Sequence, residues 1–366
     1  MKIGTRLAAL GGVALAGALS LTACGTDNNS DNGGGGTAAA SGDCVKSTVN
    51  AAGSTAQANA MSEWIKGYQQ SCAGANVNYN ASGSGAGVQA FTGGQVAFAG
   101  SDSALKPEEH GPADARCKTG KALDLPMVGG PIAIIYNLKG VDNIQLSPKT
   151  IAGIFAGKIK TWNDPAIAKD NSGTKLPATP IKPLHRSDDS GTTDNLTKFL
   201  LATAPDDWKF PGGKTFPAAA GGQGLKGSDG VSTGIKQGDG TIGYAELSYA
   251  TNGKLQTAKV QNGSGDFSEV SSDTASKAIA GAQVSGQGND LALTLDYKAK
   301  DGYPVVLVTY EIVCEKGLPK EQADFVKSFL TYTSSQQGQS ILSGLGYAPL
   351  PDSILTKVQA AVKGLS

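Results

Sequence analysis

Small and apolar residues dominate Val45 to Ala51 and read as a short strand that ends in Gly53-Ser54-Thr55. Ala60, Met61, Trp64, Ile65 and Tyr68 then fall on one face at helical spacing, predicting a helix that stops near Cys72-Ala73-Gly74. Val77 and Tyr79 alternate on a second strand, which runs into Ser82-Gly83-Ser84-Gly85-Ala86-Gly87. A short helix (Val88 to Phe91) leads to a third strand, Gln95 to Ala99, closed by Gly100-Ser101-Asp102. Strand, small polar loop and helix in repetition is how a parallel sheet of an α/β domain is written.

Further on, Leu125 to Leu138 is a β-rich apolar run that contains Pro126 and Pro131, and Val305 to Val313 is its counterpart near the other end. Between them lies a second α/β pattern. It has a helix at Ser147 to Ala156, a strand at Ile181 to Leu184, a helix from Ser190 to Leu201 and a strand at Thr241 to Tyr244. Three amphipathic helices are expected after Val313, at about Lys320 to Tyr332, Ser335 to Leu342 and Ser353 to Leu365. One domain is therefore expected from 44–136 together with 304–366, and a second, 137–303, inserted between two crossover strands. Two crossovers make a hinge, and a cleft between domains is a natural ligand site.

The first residues carry a different signal. Lys2 and Arg6 precede an apolar stretch, Leu7 to Leu21, of signal-peptide length. It ends in Leu21-Thr22-Ala23-Cys24, which looks like a bacterial lipobox, so residues 1–23 are expected to be removed and Cys24 to be acylated. A spanning helix is disfavoured because Gly11, Gly12 and Gly17 weaken an already short segment. Residues 24–43 offer no large apolar side chain and read as a lipid-anchored flexible linker. Its root-mean-square reach is roughly 25 Å. The expected location is the extracytoplasmic face of the cell membrane.

Composition narrows the function classes. Net charge is zero without basic blocks, which removes support for a nucleic-acid partner. Cys44, Cys72, Cys117 and Cys314 form an even set in a chain bound for an oxidising space. Cys44 opens the first strand and Cys72 closes the helix that returns beneath it. We therefore pair Cys44 with Cys72 and Cys117 with Cys314, although four cysteines allow three connectivities. Metal binding fits poorly, since the spacings are wide and the two histidines, His110 and His185, lie far apart. No cofactor is implied. Only His185 lies near a Ser-Gly motif and no carboxylates cluster as a phosphatase requires, so a binding module is expected rather than an enzyme.

Three loops bring hydroxyls and glycines to strand C-termini, at Ser54-Thr55, Ser84 and Ser101-Asp102, where open α/β sheets bind ligands. Any one of them alone reads first as a helix N-cap. The segment His185-Arg186-Ser187-Asp188-Asp189-Ser190-Gly191-Thr192-Thr193 says more. Its Arg follows a strand and its Ser-Gly-Thr opens a helix. The guanidinium would fork two oxygens of a tetrahedral oxyanion while hydroxyls and amides take the others.

Gly53-Ser54-Thr55, Gly83-Ser84-Gly85-Ala86-Gly87, Ala99-Gly100-Ser101-Asp102 and Arg186-Ser187-Asp188-Asp189-Ser190-Gly191-Thr192 come in the order and spacing of the PstS family, the phosphate-binding proteins of ABC importers. Gly157-Lys158-Ile159-Lys160-Thr161-Trp162-Asn163-Asp164-Pro165 and Ile242-Gly243-Tyr244 also resemble that family's landmarks. The resemblance spans roughly residues 45 to 360. It implies a two-domain, periplasmic-binding-protein-like (type II) α/β fold with two crossover hinge strands. It further implies a monomer that closes its cleft on inorganic phosphate and hands it to an ABC permease. A phosphate-sensing or adhesin-like surface lipoprotein of the same fold is the alternative. Carried over by position, Ser54, Thr55 and the Ala56 amide would hold phosphate from the first loop, and Ser84 from the second. Asp102 would accept a hydrogen bond from it. Arg186, Ser190, Gly191 and Thr192 would supply the remaining donors, with Asp188 pairing Arg186. The family commonly has Gly where this chain has Asp189, and Ala56 is a second departure.

Overall fold

Thr48–Gly53 turns Val49 and Ala51 inward and ends in a wholly buried Ala51-Ala52-Gly53, as befits a strand with helices on both faces. The computed structural model describes residues 44–366. The signal segment, Cys24 and the linker expected over residues 1–43 lie outside them. Among the described residues no helix is long and apolar enough to cross a membrane.

The main sheet runs Asn76–Asn80, Thr48–Gly53, Phe98–Ser101, Val306–Cys314, Ala122–Asn137, Thr241–Glu246, Lys182–Arg186 and Gln223–Leu225, in that spatial order. The first three strands are mutually parallel and so are the last three. Between them, Val306–Cys314 lies antiparallel to both of its neighbours. The sheet is continuous because one strand serves both halves. Ala122 to Pro131 pairs with Val306–Cys314, then Ile132 to Asn137 pairs with Thr241–Glu246. The two apolar runs read as crossovers are thus hydrogen-bonded partners. Pro126 has no N–H for the ladder, and the register slips there. Thr309 faces Val128 and Tyr310 faces Pro126, which leaves Met127 as the extra residue of a bulge.

Each half has its own core. Trp64, Tyr68, Phe98, Phe325 and Phe329 anchor the first, with Tyr68 5.4 Å and edge-on to Phe329. Trp162, Trp208, Phe155, Phe199 and Tyr244 anchor the second. Ala275, Ala278, Ile279 and Leu291, which fall inside the sequence range 137–303, pack into the first core. Disulfides join Cys44 to Cys72 and Cys117 to Cys314. The expected helices after Val313 form at Lys320–Thr333, Gln336–Ser340 and Asp352–Lys363.

Some helices had no clear signature. Gly227–Gln237 carries Gly227, Gly230 and Gly234, poor helix formers. It forms because Val231 and Ile235 are fully buried in the second core. At Gly234 a Cβ would fall 2.5 Å from Leu225 Cδ1, so the glycine admits the close packing that stabilises the helix. Pro107–Arg116 likewise forms around Pro112.

Candidate functional site

The loops at the strand C-termini of both halves meet at Asp102, which follows Phe98–Ser101 directly and is 2% exposed. One carboxylate oxygen, Oδ1, accepts from the Ser54 hydroxyl and, at 2.8 Å, from Thr309, the residue beside the bulge. The other, Oδ2, accepts from Ser84 at 3.3 Å and from Thr192 at 3.4 Å. Burial pushes the Asp102 carboxyl above its ordinary value, while the hydroxyls of Ser54, Thr309 and Ser84 and the charge of Arg186 pull it back.

Arg186 ends Lys182–Arg186 and is also 2% exposed. Its Nε donates to Asp188 Oδ1 at 2.8 Å and its Nη2 to Oδ2 at 2.5 Å. The carboxylate thus fixes one edge of the guanidinium and leaves Nη1 near Ser228, 3.4 Å away. Burial works against the charge on Asp188, but the hydrogen bonds and charge of Arg186, with the Gly227 amide, hold its carboxyl below the ordinary value. Ser228 Oγ lies 2.9 Å from Thr55 Oγ1, closing the ring from the second half back to the first loop.

Four helices begin around this ring: Ala58–Ser71, Ser84–Thr92, Gly191–Thr203 and Gly227–Gln237. Their first turns direct the positive ends of their dipoles toward the ring, although the Gly85, Thr193 and Gly227 amides are already paired, so the site suits an anion. Gly191 brings the halves together. A Cβ there would fall 2.5 Å from Asp102 Cβ and 2.7 Å from Ser84 Oγ, so only glycine allows this approach. Ser190 is fully buried, and its hydroxyl caps Thr193 N at 3.1 Å. Asp189 is exposed, and its carboxylate takes the Thr215 hydroxyl at 2.6 Å while its carbonyl takes Gly85 N–H. The departure at this position therefore directs its charge outward from the ring. Across the same seam, Lys214 Nζ lies 3.2 Å from Glu109 Oε1, and Ser103 donates to Asp194 at 2.6 Å.

The first loop is held from behind by three tyrosines that the sequence did not mark as site residues, although Tyr79 was legible as a strand position. The carbonyls of Ser54, Thr55 and Ala56 each accept a tyrosine hydroxyl, from Tyr79 at 2.8 Å, Tyr249 at 2.7 Å and Tyr347 at 2.6 Å. Burial pushes all three phenols up, which keeps them as donors. In a trans peptide the N–H points opposite to the preceding carbonyl. Fixing these carbonyls therefore turns the amides of Ala56 and Gln57 toward Ser54 Oγ, at 3.0 and 3.4 Å, on the side of the ring.

With that geometry in view, the comparisons with known proteins are specific. Residues 38–337 match the family model described as the PBP superfamily domain. The chain is 43% identical to phosphate-binding protein PstS 3 of Mycobacterium leprae over the full length of both chains. Its identity to phosphate-binding protein PstS 3 of Mycobacterium tuberculosis is the same, again over both full lengths. The chain belongs to the PstS family. Among solved structures, a high affinity periplasmic phosphate-binding protein (PfluDING) bound with phosphate matches at a TM-score of 0.71 and 25% identity, covering 86% of this chain and 93% of that one. The fold is accordingly the type II periplasmic-binding-protein fold. Relative to the PstS pattern in sequence, the ring adds Ser228, Thr309 and the three tyrosines. Gly227-Ser228 at the end of a short strand was the one readable signal among them.

Proposed function

We propose that this PstS-family chain binds inorganic phosphate in the ring around Asp102 and delivers it to an ABC permease. The observation that carries the reading is a buried carboxylate, Asp102, set among helix N-termini and one pinned guanidinium, Arg186. Donors alone would take any tetrahedral oxyanion. An acceptor among them selects one that still carries a proton, as phosphate does near neutral pH.

In this reading Ser54, Thr55, the Ala56 amide, Ser84, Arg186, Ser190, Gly191 and Thr192 contact the anion, Asp102 accepts a hydrogen bond from its hydroxyl, and Asp188 holds Arg186 in place. The domains 44–136 with 304–366, and 137–303, close on the ligand about the paired runs Leu125 to Leu138 and Val305 to Val313, with Ala275, Ala278, Ile279 and Leu291 moving with the first core into which they pack. The chain acts as a monomer, without catalysis, tethered to the extracytoplasmic membrane face by lipid on Cys24. Isothermal titration against phosphate, arsenate, sulfate and molybdate tests it. One phosphate per chain, displaced by arsenate, is expected. Absence of phosphate binding would sink the reading.

A further inference from the structure

Behind Tyr79 lies a buried acid that the anion ring does not use. Glu311 sits on Val306–Cys314 opposite Gly100, on the same strand face as Thr309, whose hydroxyl reaches Asp102. Gly100 has no side chain to fill that space. A Cβ there would fall 1.9 Å from Gln57 Nε2 and 2.6 Å from Tyr79 Oη, so the Gln57 amide and the Tyr79 phenol stand beside Glu311. Glu311 is wholly buried, and neither of its carboxyl oxygens has a hydrogen-bond partner. Gln57 Oε1 is buried and unpartnered too.

The orientation of that amide follows from its neighbour. Tyr79 gives its single proton to the Ser54 carbonyl, so toward Gln57 it only accepts, and Nε2 donates to it at 3.0 Å. Gln57 Oε1 is then left as a buried acceptor without a donor, on a side chain that acts on the Glu311 carboxyl, which if ionised offers only more acceptors. Orphaned buried acceptors are costly, and one proton on Glu311 removes the conflict.

We propose that Glu311 is held as the neutral carboxylic acid and donates a hydrogen bond to the Gln57 carbonyl. It is thereby a positioning residue whose relay, Glu311 to Gln57 to Tyr79 to the Ser54 carbonyl, sets the first anion loop. Burial, with the charge of Asp102 adding to it, pushes the Glu311 carboxyl up to about 8 against the pull of the Gln57 amide. Asp102 and Tyr79 are the titratable groups coupled to it. Ionisation at higher pH breaks the relay and loosens the loop. This inference rests on the phosphate reading for its ligand, but not for the proton itself.

Two measurements test it. Phosphate Kd is compared between wild type and Glu311→Gln from pH 6 to pH 10, since glutamine keeps a donor and cannot ionise. The Kd ratio of wild type to variant is expected to stay flat below about pH 7 and to rise about tenfold by pH 9. Parallel profiles would overturn the relay. Independently, carbon-13 NMR of the wild-type Glu311 side-chain carboxyl is expected to give a neutral-acid signal at pH 7, and a carboxylate signal there would overturn the protonation. A neutral signal in a protein that binds no phosphate would leave Glu311 assigned and reject the phosphate reading instead.

Discussion

Replacing Asp102 by Asn is the sharpest perturbation of selectivity. Oδ1 of Asp102 is already committed to Ser54 and Thr309, whereas Oδ2 has only long contacts, 3.3 Å to Ser84 and 3.4 Å to Thr192. Oδ2 is therefore the acceptor open to a phosphate hydroxyl. Sulfate has no proton to give it and meets repulsion, at a cost of several kcal/mol by order of magnitude in a desolvated site. Wild type is expected to prefer phosphate at least about a thousandfold, a gap of about 4 kcal/mol. An Asn amide at Oδ2 donates rather than accepts and carries no charge. Phosphate then loses a charge-assisted hydrogen bond, about 1.5–3 kcal/mol, or about ten- to a hundredfold in Kd, while sulfate loses its repulsion. Titration of both anions into both proteins at pH 7.5 reads the gap directly. Because burial raises the Asp102 carboxyl, lowering the pH protonates it and supplies a donor, so wild-type sulfate rejection should weaken as pH falls. Equal wild-type affinities, or an unchanged gap in Asp102→Asn, would refute the assignment.

Arg186→Ala should weaken phosphate and arsenate alike by about 3 kcal/mol, over about a hundredfold, because it strands Asp188 as well as removing the fork; a loss for one anion only would contradict this. Small-angle scattering should show compaction on phosphate saturation if the two domains close about the paired crossovers, and an unchanged radius of gyration counts against closure. Asp124, buried and beside Asp290, has its carboxyl pushed up to about 8, so the folded chain keeps this proton after the unfolded chain has released it. Its contribution to stability is present in acid and should fade by about 1.4 kcal/mol per pH unit from about pH 4 to pH 8. Urea unfolding of Asp124→Asn should lack that component of the slope, and an identical slope would reject it. Cys24→Ala should release the protein from membranes with phosphate affinity unchanged, and fractionation that finds it still bound would remove the lipobox reading.

Local pattern carried much of this protein. Apolar spacing placed Thr48–Gly53, Ala58–Ser71 and Asn76–Asn80, because each buries a face that its own sequence must supply, whereas Phe98–Ser101 begins three residues later than expected and Pro107–Arg116 had no signature. The small-residue loops at Ser54, Ser84, Asp102 and Arg186 were legible for a related reason. Close backbone approach leaves few residue types possible, as Gly191 shows against Asp102. Cys44 and Cys72 were placed together by the single strand–helix unit that separates them.

Tertiary structure decided the rest. Nothing local tells Ala122–Asn137 to change partners after Pro131, since pairing depends on strands more than a hundred residues away. The helix Gly227–Gln237 is stable only through the core that Val231 and Ile235 enter, so its own propensity hides it and Ser228 with it. Asp189 turns outward because Thr215, on another loop, donates its hydroxyl to the carboxylate. Tyr79, Tyr249 and Tyr347 reach three consecutive carbonyls from three distant segments. A tyrosine that orients a peptide looks in sequence like any other buried aromatic, because its function lies in which carbonyl the fold sets before its hydroxyl.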